Sequence, residues 1–200
     1  MTKIKICGLS RVTDIEAINT LKPDYIGFVF AKSKRRVTAT QATSLRKFLS
    51  PRITPVGVFV DEAIESIQLL VQDGVIDVIQ LHGIEDEEYI QRLKWQTHKP
   101  VIKAISVQSK GDVQKWSNSA ADYLLLDHKN GGTGQSFDWD IIGKTCKPYF
   151  LAGGLTPENI SKATLKTTPY AVDVSSGVET DGIKDPIKIH QFIRRARHEC

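Results

Sequence analysis

The sequence predicts an α/β protein that folds as a single (β/α)8 barrel domain over residues 1–200, near the minimum length for that architecture. Eight short apolar runs, rich in β-branched residues, begin roughly 22 to 30 residues apart. Each run is largely apolar on both faces, as parallel strands covered by helices are. An open doubly wound sheet has the same alternation. The barrel is preferred because no Gly-x-Gly-x-x-Gly follows the first run and each unit has about 25 residues.

The predicted strands alternate with helical patterns along the whole chain. Apolar residues recur at helical spacing between strands, as at Val113, Trp116 and Ala120. The sixth helix, at residues 138–142, is predicted to be short. The eight predicted strands are residues 3–7, 25–30, 55–60, 77–81, 101–105, 123–126, 149–151 and 171–174.

Four helix starts have a recognisable signal. Thr13-Asp14-Ile15-Glu16 and the pair of Thr38 with Gln41 have the form of capping boxes. Thr156-Pro157 and Asp185-Pro186 place a proline at the first helical position, where its missing N–H does no harm. We therefore expect helices to begin at these four points.

Composition limits the class of protein. The chain has 40 % hydrophobic and 25 % charged residues, as ordinary globular proteins do. Cys7, Cys146 and Cys200 form no Cys-x-x-Cys pair and are odd in number, which argues against a disulfide framework and favours a cytoplasmic location. No 18-residue apolar run occurs, so we expect no membrane partner.

The basic residues do not indicate nucleic acid binding. The 27 basic and 23 acidic residues give a net charge of +4 and are spread along the chain. The one basic cluster, Lys32-Ser33-Lys34-Arg35-Arg36, has no interleaved aromatic residues. Because it follows the second strand, an arginine there can reach inward and hold a carboxylate through a bidentate pair. We expect no nucleic acid partner.

Small residues follow the seventh and eighth predicted strands. These are Gly153 and Gly154 in one turn and Ser175, Ser176 and Gly177 in the other. Small side chains let backbone N–H groups approach an anion, and barrels commonly bind phosphate between these two loops. Singly, each turn could serve only to reverse the chain. Together they predict a phosphate site.

A thiol and a carboxyl group stand at two other strand ends. Cys7 ends the first strand and Asp127 follows the sixth, so both face the mouth of a barrel, where barrel enzymes do their chemistry. A thiolate is a competent base once its pKa falls toward neutrality, and a carboxyl group can act as an acid. The alternative is a small buried cysteine and a helix N-cap.

The five histidines predict no metal site. They form no His-Glu-x-x-His motif and no paired spacing with carboxylates. His82 alone stands at a strand end, where it could contact a substrate or cap the strand.

The strand-end motifs follow one another in a specific order from residue 3 to about residue 193. The motifs are Lys5-Ile6-Cys7-Gly8-Leu9, Gly27-Phe28-Val29-Phe30, Ser33-Lys34-Arg35, Gln80-Leu81-His82-Gly83, Leu125-Leu126-Asp127, Gly131-Gly132-Thr133-Gly134, Phe137-Asp138-Trp139, Ala152-Gly153-Gly154-Leu155 and Val172-Asp173-Val174-Ser175-Ser176-Gly177-Val178-Glu179. This set resembles the phosphoribosylanthranilate isomerase family of tryptophan biosynthesis.

The resemblance implies an Amadori rearrangement of a phosphorylated small molecule without a cofactor. It implies that Asp127 is the general acid, that Cys7 is the general base, and that Arg35, with Arg36 as the ambiguous neighbour, contacts the anthranilate carboxylate. It also places His82 and Asp173 in the active site. Phosphate binding is assigned to Gly153, Gly154, Ser175, Ser176 and Gly177.

Two other functions remain open at this point. A bifunctional aminoaldose isomerase serving both histidine and tryptophan biosynthesis is the nearest rival, and a barrel that binds phosphate without catalysis is the other. The cysteine on the first strand favours the anthranilate substrate over the two-aspartate chemistry of the histidine-pathway enzymes. A monomer or a homodimer is expected.

Overall fold

Eight parallel strands close into a barrel in the computed structural model, which describes residues 1–127, 138–143 and 145–198. The strands follow one another in chain order, and the last pairs with the first. The barrel is therefore confirmed, and both ends of every strand lie within one residue of the predicted positions. The strands are β1 (Lys3–Cys7), β2 (Tyr25–Val29), β3 (Thr54–Phe59), β4 (Val78–Leu81), β5 (Val101–Ser106), β6 (Tyr123–Asp127), β7 (Tyr149–Leu151) and β8 (Ala171–Val174).

Helices surround the barrel. A 3-10 turn at Trp139–Ile141 stands where the short sixth helix was predicted. An antiparallel hairpin of β9 (Glu179–Thr180) and β10 (Ile183–Lys184), which the sequence did not predict, follows β8. The helices are α1 (Val12–Leu21), α2 (Ala39–Phe48), α3 (Ile64–Gln72), α4 (Glu87–Thr97), α5 (Lys110–Lys115), α6 (Ile160–Thr167) and α7 (Pro186–Ala196). None of these described helices is both long and apolar enough to cross a bilayer.

Two of the four predicted helix starts are confirmed. The Thr38 side chain accepts a hydrogen bond from the backbone N–H of Gln41, and the Gln41 side chain accepts one from that of Thr38. Asp185 likewise caps α7, with Pro186 at the first helical position.

The other two predicted starts are wrong. The helix α1 begins at Val12, because the Asp14 carboxylate accepts hydrogen bonds from the backbone N–H groups of Ser10 and Arg11. Asp14 thus caps the helix in place of Glu16, two residues further along the chain. Residues 156–159 form a turn in which the Asn159 side chain accepts from the N–H of Thr156, which delays α6 to Ile160.

The helix α5 is shorter than its apolar spacing predicted. It ends at Lys115, so Ala120 lies outside it. The hydroxyl of Ser117 donates to the carbonyl of Gln114 at 2.7 Å. Serine side chains compete in this way with the backbone bonds of a helix, which is a physical reason for the early end.

An aromatic cluster fills the amino end of the barrel. Phe150 on β7 makes edge contacts with Tyr25 and Tyr123, which begin β2 and β6, and also packs on Tyr170. The hydroxyl groups of Tyr25 and Tyr170 lie 3.0 Å apart. Because these bulky rings occupy one end of the interior, the polar side chains of the strands gather at the other end.

Replacing Phe150 by alanine should destabilise the protein strongly. The ring is 1 % exposed, so its removal leaves a cavity inside the barrel, and we expect a loss of about 3–5 kcal/mol in the free energy of unfolding. Urea denaturation measures the change. The matched control is Leu165→Ala on α6, where the side chain is exposed and the change should stay within about 0.5 kcal/mol. Equal losses in the two variants would contradict the assignment of Phe150 to the core.

Candidate active site

A cavity of about 310 Å³ opens at the carboxyl end of the barrel. All ten residues that the sequence singled out for a site line it, although they come from the ends of five strands and a loop. They are Cys7, Arg35, His82, Asp127, Gly153, Gly154, Asp173, Ser175, Ser176 and Gly177. The glycine motif at residues 131–134 and Phe137 lie outside the described residues, as does Cys200.

Cys7 lies directly above a buried ion pair. Lys5 and Cys7 are two residues apart on β1, so both side chains point into the barrel. The Lys5 ammonium donates to Asp173 on β8 at 2.9 Å, and Lys5 is fully buried. The hydroxyl of Ser175 donates to the backbone carbonyl of Cys7 at 3.0 Å. The backbone of Cys7 is therefore tied to the turn that follows the last strand.

Burial raises the pKa of the Cys7 thiol. The positive charge of Lys5 opposes this shift, the negative charge of Asp173 adds to it, and Lys184 opposes it from further away. Against the effect of its own burial, Lys5 has a raised pKa because of the charges of Asp173 and Cys7. The sequence argument for a thiolate base required the pKa of Cys7 to fall toward neutrality. In the protein alone, the direction is the opposite.

Asp127, His82 and Gln80 form a chain of close contacts at the opposite side of the cavity. The Nε2 atom of His82 lies 3.6 Å from Oδ2 of Asp127, which is 8 % exposed. On the other side of the ring, Nδ1 lies 3.1 Å from the amide nitrogen of Gln80. His82 therefore faces a carboxylate with one nitrogen and an amide with the other.

Arg35, and not Arg36, turns inward. The Nε and Nη2 atoms of Arg35 donate to the two carboxylate oxygens of Glu179 at 2.6 and 2.7 Å, while Arg36 is exposed and donates to the carbonyl of Phe30. Lys184, which is also buried, donates to Glu179 at 2.5 Å. Although burial opposes it, the hydrogen bonds from Arg35 and Lys184 lower the pKa of Glu179, so this carboxylate stays charged between two cations.

The turns after β7 and β8 meet closely. Gly153 and Gly154 have φ angles of +82° and +62°, a left-handed backbone that favours glycine. A Cβ on Gly177 would lie 1.9 Å from the carbonyl oxygen of Leu155, so only glycine fits between the two turns. The glycines are therefore needed for the turns themselves, which was the alternative explanation for them. The same turns also line the cavity.

Sequence reasoning did not select four charged or polar residues of this region. Lys5 precedes Cys7 by two residues, and Gln80 precedes His82 by two residues. Side chains at this spacing on a strand share a face, so the sequence could have placed Lys5 and Gln80 in the barrel interior. Glu179 and Lys184 lie on the hairpin after β8. Glu179 ends the last quoted motif but was given no role, and no local pattern pointed to Lys184.

A larger cavity, of about 660 Å³, lies outside the barrel next to the amino ends of α4 and α5. Its buried charges satisfy each other, because Lys103 donates to Glu85 at 2.7 Å and to the carbonyl of Gly83. It brings together none of the residues that the sequence singled out. Within the described part of the chain, no three histidine, cysteine or acidic side chains are placed to hold a metal ion.

Comparison with known proteins gives the family. A family model for N-(5'-phosphoribosyl)anthranilate (PRA) isomerase matches residues 4–195. An N-(5'-phosphoribosyl)anthranilate isomerase from Endomicrobium trichonymphae is 47 % identical over 201 residues, which cover 98 % of this chain and 99 % of the relative.

Solved structures agree with that match. Phosphoribosyl anthranilate isomerase from Thermotoga maritima has a TM-score of 0.91 and 36 % identity, over 99 % of this chain and 100 % of the other. A phosphoribosyl anthranilate isomerase in complex with reduced 1-(o-carboxyphenylamino)-1-deoxyribulose 5-phosphate has a TM-score of 0.86 and 34 % identity, with the same coverage. The order of the motifs, the closed barrel and these likenesses together establish that the chain belongs to the phosphoribosylanthranilate isomerase family.

Proposed function

We propose that the protein converts N-(5-phosphoribosyl)anthranilate to 1-(2-carboxyphenylamino)-1-deoxyribulose 5-phosphate, a step of tryptophan biosynthesis, as a cofactor-independent intramolecular oxidoreductase. The observation that carries this proposal is the placement of Cys7 and Asp127 in one cavity, together with an inward arginine and two tight turns. A base, an acid, a carboxylate partner and a phosphate site are what an aldose–ketose rearrangement of such a substrate requires. Its location in the cytoplasm and its state as a monomer or homodimer remain predictions.

Asp127 acts first, as the general acid. It donates a proton to the furanose ring oxygen, the C1′–O bond breaks, and the nitrogen lone pair forms a protonated imine. Negative charge then develops on the Asp127 carboxylate, and the nearby Nε2 of His82 can stabilise it.

Cys7 acts second, as the general base. The thiolate takes the C2′ proton, the released electron pair forms a C1′=C2′ double bond, and the imine nitrogen becomes neutral. The resulting enamine tautomerises to the ketone. Because burial raises the pKa of Cys7, the site by itself disfavours the thiolate. The cationic imine supplies a positive charge at the mouth only after ring opening, which favours the thiolate at the step that needs it.

Arg35 binds the anthranilate carboxylate. Glu179 already accepts from Nε and from one hydrogen of Nη2, so the substrate carboxylate binds to the remaining hydrogens of Nη1 and Nη2 at the end of the guanidinium. Asp173 holds Lys5 beneath the reacting atoms. The backbone N–H groups of Gly153, Gly154, Ser175, Ser176 and Gly177 receive the phosphate.

Turnover should disappear when either proton-transfer group is removed. Anthranilate fluorescence of the substrate should decay on addition of the protein. Cys7→Ser should abolish the decay, since a serine hydroxyl is too weak an acid to supply a base near neutral pH, and Asp127→Asn should slow it by at least about 100-fold.

Binding of a product analogue separates catalysis from folding and from the alternative functions. Both variants should bind it about as the unchanged protein does. Absence of decay with the unchanged protein, while phosphate still binds, would favour the non-catalytic barrel. Decay with a histidine-pathway aminoaldose as well would favour the bifunctional enzyme.

Arg35→Met should weaken substrate binding by about 1.5–3 kcal/mol, the contribution of a charge-assisted hydrogen bond. Glu179 keeps its partner Lys184 in this variant, so the loss reports on the ligand. Arg36→Met is the matched control and should change the affinity little, because Arg36 is exposed. Calorimetry with the product analogue measures both, and the reverse ranking would remove Arg35 from the substrate site.

The thiol of Cys7 should ionise only at high pH in the protein alone. Its raised pKa means that the thiolate form is populated above the ordinary value of 9.0, not near neutrality. The ultraviolet absorbance difference between the unchanged protein and Cys7→Ser, followed against pH, reports this ionisation without the other cysteines. A midpoint below the ordinary value would show that Lys5 and Lys184 outweigh burial.

A further inference from the structure

We propose that Gln80 is a positioning residue that holds His82 in the tautomer with its hydrogen on Nε2, directed at Asp127. This rests on the proposed role of Asp127 as the general acid. Gln80 lies on β4 two residues before His82, so both side chains enter the barrel interior on the same face. Gln80 is 1 % exposed and lines the candidate active site.

Two contacts on opposite sides of the imidazole lead to the same tautomer. The Nε2 atom faces Oδ2 of Asp127 at 3.6 Å. Oδ2 accepts hydrogen bonds both in the carboxylate and in the acid that carries its proton on Oδ1, so Nε2 should carry the hydrogen. A neutral imidazole then has a lone pair on Nδ1, which needs a donor. The amide NH2 of Gln80 lies 3.1 Å from Nδ1 and is that donor.

The orientation of the Gln80 amide has an energetic penalty. Its carbonyl oxygen is buried and has no hydrogen-bond partner among the described residues. The reversed amide would direct that oxygen at Nδ1, put the hydrogen there, and turn the lone pair of Nε2 toward the carboxylate of Asp127. Repulsion between these two acceptors explains why the unpartnered orientation is retained.

The tautomer matters for the ring-opening step. When Asp127 gives its proton to the ring oxygen, charge develops on the carboxylate, and a donor at Nε2 stabilises that charge while keeping its own hydrogen. Catalytic contacts that are long in a free enzyme commonly shorten in the complex with substrate, so 3.6 Å is a suitable starting distance. Gln80 acts on this step through its contact with His82.

Nitrogen NMR of protein labelled with ¹⁵N-histidine tests the tautomer directly. The His82 signals are identified by their loss in His82→Asn. We expect hydrogen on Nε2 and a lone pair on Nδ1 in the unchanged protein. Hydrogen on Nδ1 in a neutral ring would overturn the proposal, whether or not any variant folds.

Two variants of Gln80 test its part in this arrangement. Gln80→Glu presents an acceptor to Nδ1, so a hydrogen should appear on that nitrogen. Gln91→Glu is the matched control, since Gln91 is exposed on α4, and it should leave the His82 signals unchanged. Gln80→Met, which has no donor, should lower kcat by about tenfold with KM within about twofold.

The kinetic and NMR measurements distinguish the role of Gln80 from the proposed isomerase activity. An unaltered kcat in folded Gln80→Met, or an unaltered His82 signal in folded Gln80→Glu, would overturn the role of Gln80. Failure of the unchanged protein to turn over phosphoribosylanthranilate would overturn the proposed function, and the NMR signals would still decide the tautomer.

Discussion

The buried ion pair between Lys5 and Asp173 joins the first and last strands of the barrel, and the candidate active site depends on that junction. Without closure, Cys7 at the end of β1 would have no contact with the turn after β8, where Ser175 donates to its carbonyl. A buried charge without its partner is strongly destabilising, so the pair also holds the register in which Lys5 faces Asp173. This junction of β1 with β8 places Cys7, the turn after β8 and the last hairpin close together.

One end of the barrel interior stabilises the fold, and the other end holds the candidate active site. The aromatic rings around Phe150 occupy the amino end, where packing needs no special charge arrangement. The carboxyl end holds Glu179 between Arg35 and Lys184, and these three residues together carry a net charge of +1. Such a surplus suits a substrate that brings both a carboxylate and a phosphate.

The proposed acid, Asp127, and the proposed base, Cys7, lie in different environments. Asp127 has His82 beside it, so charge that forms on the carboxylate meets a neighbouring donor. Cys7 is buried, and burial raises its pKa, so in the proposed mechanism the cationic imine of the substrate favours the thiolate. A base that becomes active only after the cationic imine forms fits the order of the two proton transfers. The protein therefore need not keep a reactive thiolate while the cavity is empty.

The sequence by itself determined the barrel, its strands and the positions that line its mouth, because apolar runs on both faces and residues at strand ends are local properties of the chain. Cys7, Asp127 and the glycine turns could be selected in this way. Only the tertiary structure decided the partner of Arg35, which lies 144 residues away, the direction of the pKa shift at Cys7, and the contact of Gln80 with His82. These depend on which side chains from distant segments share a buried space, and burial strengthens charge and hydrogen-bond effects that a linear pattern does not contain.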